Sequence, residues 1–157
     1  MKHLLEEMTG SPQFLEGSAW ARQKYSPNTI VVKEGDIGHS LFFVEQGKLR
    51  VTGRVNLGDN KQIQPGIGDL KAGALFGESC LHAQLPRIAT VTTVTEVDLL
   101  EIDGERLRVF IDANPVQGYL FYKKLFEVLI GRLKSANHTI ETLMAWGLKV
   151  HEIDKYL

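Results

Sequence analysis

The sequence predicts an α+β fold, a compact antiparallel β-barrel or sandwich with helices before and after it, and three observations carry that reading. Short apolar runs at 30–32, 41–44 and 49–55 are separated by Gly35, Asp36, Gly38 and Gly47, a density of turn residues that suits a small closed sheet. Helical spacing opens the chain near Leu4 and dominates it again from Pro115. Between these, the stretch 76–93, FGESCLHAQLPRIATVTT, sets a Gly-Glu pair at the start of a short helical turn, with an arginine nine residues beyond the glutamate.

In chain order, Leu4, Leu5, Met8, Phe14 and Leu15 form an interrupted apolar stripe around Gly10-Ser11-Pro12. Two short helices joined by a turn are expected up to about Trp20, with Ser11 and Pro12 as N-cap and first-turn residue of the second. Strand periodicity is expected from Tyr25. The segment 57–61 reads as a hairpin tip, and Pro65, Gly66, Gly68 and Gly73 read as turn residues leading into 76–93. Two closing strands are expected at 89–94 and 97–102, after which helical spacing returns at Gly104. Gly66-Ile67-Gly68 falls short of a dinucleotide-binding glycine fingerprint, because no strand-to-helix turn follows it.

The stretch 76–93 has the chemistry of an anion site. Gly77 lets the backbone turn with its amides exposed, and a helix N-terminus offers unpaired N–H groups to a phosphate. Arg87 adds a fixed charge and a donor fork. Glu78 would repel an anion unless it faced something else, and a sugar hydroxyl is the usual alternative. The residues therefore ask for a ligand that carries an anion and a hydroxyl close together.

Beyond Pro115, Tyr119, Phe126, Leu133 and Ile140 recur every seven residues, with Tyr122, Leu129, Ala136 and Leu143 three further on. That is an a/d seam. A helix of about 30 residues, some 45 Å long, would carry it. The stripe either packs on the barrel or pairs with the same helix of a second subunit. The second reading is favoured by length, although Lys123 and Asn137 lie beside the seam.

Composition narrows the classes. The chain has 157 residues, 43% of them hydrophobic, and is expected to form one domain: 1–24 N-terminal helices, 25–103 barrel with the 76–93 cassette, 104–157 C-terminal helices. With 18 basic and 19 acidic residues and a formal net charge of −1, no extended nucleic-acid surface is expected. No apolar run reaches spanning length and Glu6 and Glu7 interrupt the N-terminus, so neither membrane nor secretion is expected and a cytoplasmic protein is. Cys80 is the single cysteine, which leaves no disulfide framework or Cys-rich metal site. No G-x-S-x-G elbow, Walker loop or H-E-x-x-H is present and the five histidines are scattered, so neither enzymatic activity nor a cofactor is expected.

Phe76-Gly77-Glu78 and Pro86-Arg87-Ile88-Ala89-Thr90, preceded by 31–38 (VVKEGDIG), 41–44 (LFFV) and Gly47, resemble the phosphate-binding cassette and upstream segment of cyclic nucleotide-binding domains. The chain looks most like the receptor domain of the catabolite-activator type. The resemblance covers nearly the whole chain and implies a jelly roll with a short cassette helix and a long C-terminal helix. It implies that Glu78 accepts from a ribose 2′-OH, that Gly77 and Ser79 hold the cyclic phosphate through backbone N–H, and that Arg87 pairs with that phosphate. It further implies that Ala89 lets the chain pass close by, that Phe76 and Leu81 are apolar walls, and that Asn137 reaches the base from the long helix. Cys80 and Ile88 depart from the family pattern. Cys80 replaces a small residue, while Ile88 replaces a small or hydroxyl-bearing one and offers nothing to a guanine amine, which favours cAMP over cGMP.

Three functions from different classes fit these residues. One is a cyclic nucleotide receptor that moves its C-terminal helix against an unidentified effector protein. Another is the sensory part of a transcription regulator, for which the residues after 147 leave no helix-turn-helix in this chain. The third is a homodimerising interaction protein whose pocket is vestigial or altered.

Overall fold

The computed structural model describes residues 1–56, 62–63, 66–82 and 85–150, without the side chains of 55, 56, 62 and 63. The chain divides into two compact units, Met1–Gly118 and Tyr119–Leu157.

The first unit opens with α1 (Lys2–Thr9), which buries Leu4, Leu5 and Met8 along one face. No second N-terminal helix follows. Successive turns run instead from Ser11 to Ala19, and the Ser11 hydroxyl accepts from the Gln13 amide at 3.3 Å as part of a turn rather than a helix cap. The reason is tertiary: Phe14 is buried against Phe110 with ring centroids 4.9 Å apart, and its carbonyl accepts from Trp20 Nε1 at 2.9 Å. A continuing helix would have used that carbonyl itself.

Trp20 then begins β1 (Trp20–Tyr25), so the sheet starts five residues earlier than its apolar period announces. It pairs antiparallel with β10 (Val97–Asp103), which pairs with β3 (Ser40–Gln46), which pairs with β8 (Leu75–Phe76). A second sheet orders β2 (Ile30–Val32), β9 (Thr90–Thr93), β4 (Lys48–Thr52) and β7 (Gly66–Lys71). A two-stranded ribbon, β5 (Val55–Asn56) with β6 (Gln62–Ile63), leads away from β4. The expected hairpin tip at 57–61 and Pro65 lie outside the described residues.

Gly66 and Gly68 are strand residues rather than turn residues, held opposite Thr52 and Val51 of β4. Between the two sheets lies a core of Val32, Phe42, Val44, Leu49, Phe76, Val91, Val97 and Leu99. Leu41 and Phe43 alternate with Phe42 and Val44 along β3 and are buried as well, so both faces of that strand are covered.

β10 runs into α2 (Gly104–Ala113) through Asp103, whose carboxylate accepts from the Arg106 amide at 2.8 Å as a side-chain N-cap. Leu107, Phe110 and Ile111 turn inward. Then α3 (Pro115–Val150) begins. Its entry is close-packed at Gly118, where an ideal Cβ would stand 2.9 Å from the Ile111 carbonyl oxygen. In the second unit α3 keeps the expected seven-residue seam, and Tyr119, Tyr122, Phe126, Leu129, Leu133, Ile140 and Leu143 are all exposed. Antiparallel jelly-roll sheets with a long C-terminal helix are the fold expected from the sequence.

Candidate functional site

β8 delivers the chain to Gly77, which adopts φ 78° and ψ 11° and caps a single 3-10 turn, Glu78–Leu81. A side chain is excluded at Gly77 twice over. The left-handed backbone disfavours one, and an ideal Cβ would stand 2.9 Å from Arg87 Nη1 and 3.0 Å from the Ser40 carbonyl oxygen. The first amides of such a turn have no acceptor within it.

Arg87 is the centre of the site. It is only 7% exposed, which rules out a surface ion pair. Nη1 donates to the Gly77 carbonyl at 2.9 Å and Nη2 to the Ser40 carbonyl at 2.6 Å, while Cζ lies 6.0 Å from the centroid of the Phe42 ring. The Arg87 main chain is anchored as well. Its amide donates to the Asp36 carbonyl and its carbonyl accepts from the Gly35 amide, both at 2.8 Å, and Pro86 bridges Ile37. Just beyond, the Thr90 hydroxyl accepts from the Glu34 amide at 3.0 Å. The 34–38 turn and the two halves of the cassette are therefore knotted around one guanidinium.

Gly38, Ser40 and Phe42 complete this arrangement, and none of the three is a site residue by the sequence reading. Ser40 contributes a carbonyl, which no side chain advertises. Gly38 had a visible signal, a glycine two residues before a strand and outside any tight-turn pair, because the guanidinium needs the room.

The remaining residues sort by depth. Phe76 belongs to the core between the sheets, stacked on Phe42 at 5.0 Å and 16°. Leu81 is buried, while Glu78, Ser79, Cys80 and Ala89 are half-buried. Ile88 is 84% exposed. Asn137 is exposed on α3 in the second unit. Cys80 lies beneath the start of α2, where a Cβ on Gly104 would stand 2.8 Å from its sulfur. Burial pushes its thiol up to about 11 despite the opposing Arg87 charge, so the sulfur is a neutral packing group at neutral pH.

A glycine-capped turn that begins with Glu78 and a buried arginine therefore meet at one loop cluster. The cyclic nucleotide-binding domain model matches residues 22–114, which takes in every element of this cluster. The chain belongs to the cyclic nucleotide-binding domain family. It is 28% identical over 128 residues to a cAMP-dependent protein kinase regulatory subunit of Colletotrichum orbiculare, covering 82% of this chain and 30% of that protein. It is 28% identical over 145 residues to the cyclic AMP receptor protein of Thermus thermophilus, covering 87% of this chain and 63% of that one. The crystal structure of Thermus thermophilus catabolite activator protein superposes with a TM-score of 0.64 at 27% identity, covering 85% of this chain and 63% of that chain.

This cyclic nucleotide-binding domain thus spans less than a third of the kinase subunit it matches. These relatives are named as regulatory or receptor proteins. Among the described residues no His, Cys, Asp and Glu group is placed to hold a metal, and no helix is long and apolar enough to cross a membrane.

Proposed function

We propose that this chain is a regulatory receptor that binds a cyclic nucleotide in its cassette, cAMP in preference to cGMP, and reports binding through α3. The observation that carries the reading is Arg87: a cation kept in a nearly dry position, with its fork fixed beside the Gly77 turn by main-chain carbonyls of the fold itself. Pre-organisation lowers the cost of binding an anion. The relatives named as cAMP receptors and cAMP-dependent regulatory subunits support the choice of nucleotide.

In this reading Glu78 accepts from the ribose 2′-OH, and the Gly77 and Ser79 amides meet the cyclic phosphate that Arg87 neutralises. Ala89 leaves space for the chain to pass, and Leu81 walls the site. Phe76 and Cys80 support it from below, and Ile88 follows the arginine directly, near the cyclic phosphate. The output path follows packing. The cassette turn touches α2 at Cys80 and Gly104, and α2 touches the first turn of α3 at Ile111 and Gly118. The chain is one non-enzymatic cyclic nucleotide-binding domain, acting in the cytoplasm as a homodimer on an effector protein.

A thermal-shift titration with cAMP, cGMP and AMP tests this directly. Ligand at 100 times Kd adds ~2.7 kcal/mol of stability. The expected order is cAMP above cGMP, with AMP inert because its open dianionic phosphate does not match a cradle for a ring. Equal responses to all three overturn the reading.

One observation favours a second reading. Two donors of Arg87 are already engaged by Gly77 and Ser40, and Ile88 brings no hydroxyl, as in a dimerising interaction protein with an altered pocket. Undiminished dimers with no nucleotide response would establish it. The likeness to the Thermus receptor also suits the sensory part of a transcription regulator, which a longer reading frame carrying a DNA-binding segment would show.

A further inference from the structure

A groove of about 320 Å³ lies in the first unit, away from the cassette, between the turns at 13–19 and one face of α2. The α2 side comes from Arg106, Val109, Phe110 and Ala113, the i, i+3, i+4, i+7 set that lines one helical face. Its walls are apolar, with the Phe14–Phe110 pair at the base and Leu15 and Val109, each 59% exposed, as lips. Asn114 Nδ2 donates to Gln13 Oε1 at 3.2 Å and ties the turns to the end of α2.

The rim carries one charge. Arg106 forms no side-chain hydrogen bond or ion pair among the described residues. Its nearest acidic neighbours in the chain are committed elsewhere: Glu105 pairs with Arg108, and Asp103 caps the helix through the Arg106 amide. An apolar trough of small-ligand size with one uncompensated guanidinium at its edge selects for shape and for sign.

We propose that this groove is a second binding site, specific for a small amphipathic acid: an aryl or branched alkyl body that lies between Leu15 and Val109, and a carboxylate that meets Arg106. The volume sits at the low end of small-molecule sites, which fits a single ring or short chain rather than a peptide segment. Because the first turn of α2 also packs on Cys80 beneath the cassette, occupancy of the groove is linked to occupancy of the cassette, and linkage is reciprocal. That last step rests on the nucleotide reading above; the groove itself does not.

The probe is 4-phenylbutyrate, with 4-phenylbutanol as a neutral compound of the same body, titrated into the full chain by calorimetry without nucleotide. The acid is expected to bind about ten-fold or more tightly than the alcohol. Arg106→Gln should erase that difference and Arg106→Lys should keep part of it. Ala113→Trp, at an exposed position on the groove, should block both compounds without lowering the melting temperature.

Equal affinity for acid and alcohol, binding that survives Ala113→Trp, or no binding of either compound at about 10 mM overturns the site. A second titration with cAMP in the presence and absence of saturating 4-phenylbutyrate tests the linkage, which an unchanged cAMP affinity overturns. Arg106-dependent binding of the acid by a chain that ignores cAMP upholds the groove and overturns the nucleotide reading.

Discussion

Nε of Arg87 occupies the place where a side chain at residue 38 would begin: an ideal Cβ on Gly38 would stand 1.9 Å from it, with Cζ at 2.2 Å. A single methyl group there must displace the guanidinium, since the Gly38 backbone is held between the anchored 35–37 turn and β3. Gly38→Ala is therefore expected to break both hydrogen bonds from the fork and to lower stability by roughly 2–4 kcal/mol. Urea unfolding measures the loss, and the same variant should bind cAMP at least ten-fold more weakly. A midpoint within error of the parent would mean that Arg87 has another comfortable position.

Arg87 itself cannot be removed cleanly. Arg87→Leu leaves the Gly77 and Ser40 carbonyls without their donors in a nearly dry place, a cost of roughly 2–4 kcal/mol before any ligand is added. Lost nucleotide binding in that variant would confound folding with recognition. Glu78→Gln keeps shape and one acceptor while removing the charge, so it should weaken cAMP about ten-fold or more and leave the AMP response absent. Calorimetry on both variants, with urea unfolding beside it, separates the two effects. If Arg87→Leu unfolds at the parental midpoint, the fork contributes nothing to the fold.

Cys80 gives a pH signature. Burial holds its thiol at about 11 in the folded chain, against an ordinary 9.0. The folded state therefore keeps a proton that the unfolded state releases between those values, and stability falls as pH rises through that window. Below pH 9 the contribution is fully present. Unfolding midpoints from pH 7 to pH 11 should decline more steeply for the parent than for Cys80→Ala, and alkylation at pH 8 should be much slower in the native chain than in urea. Native alkylation as fast as in urea would place the sulfur in open solvent.

The parts of this molecule that can be read from residue order are those in which side chains act on their own neighbours. The apolar runs of β3, β9 and β10 and the Gly77 and Arg87 pair announced themselves, because burial pattern and conformational need are local. Where main-chain groups from distant positions decide, residue types are silent. Ser11 and Pro12 carried the mark of a helix start, yet Phe14 was claimed by Phe110 and Trp20, and turns resulted. Gly66 and Gly68 looked like punctuation, yet β4 supplied a partner strand. The same silence hid the acceptors of Arg87, which lie 10 and 47 residues away and are both carbonyls.

The α3 seam bears on assembly. Phe126 is 64% and Leu133 56% exposed, on the a positions of a seven-residue repeat, with Leu129 exposed at d between them. Burying side chains of this kind against a second copy is worth about 1.5–3 kcal/mol each, enough over several heptads to hold a dimer at micromolar concentration. A charge at one a position meets its own symmetry mate in a parallel pair, so the penalty is doubled by repulsion as well as by lost burial. Leu133→Glu should shift sedimentation equilibrium from dimer to monomer, and Phe126→Glu with Leu133→Glu should complete the shift, while Tyr119→Phe leaves the dimer intact. Parental dimers in the double variant would move the self-association surface off this helix face altogether.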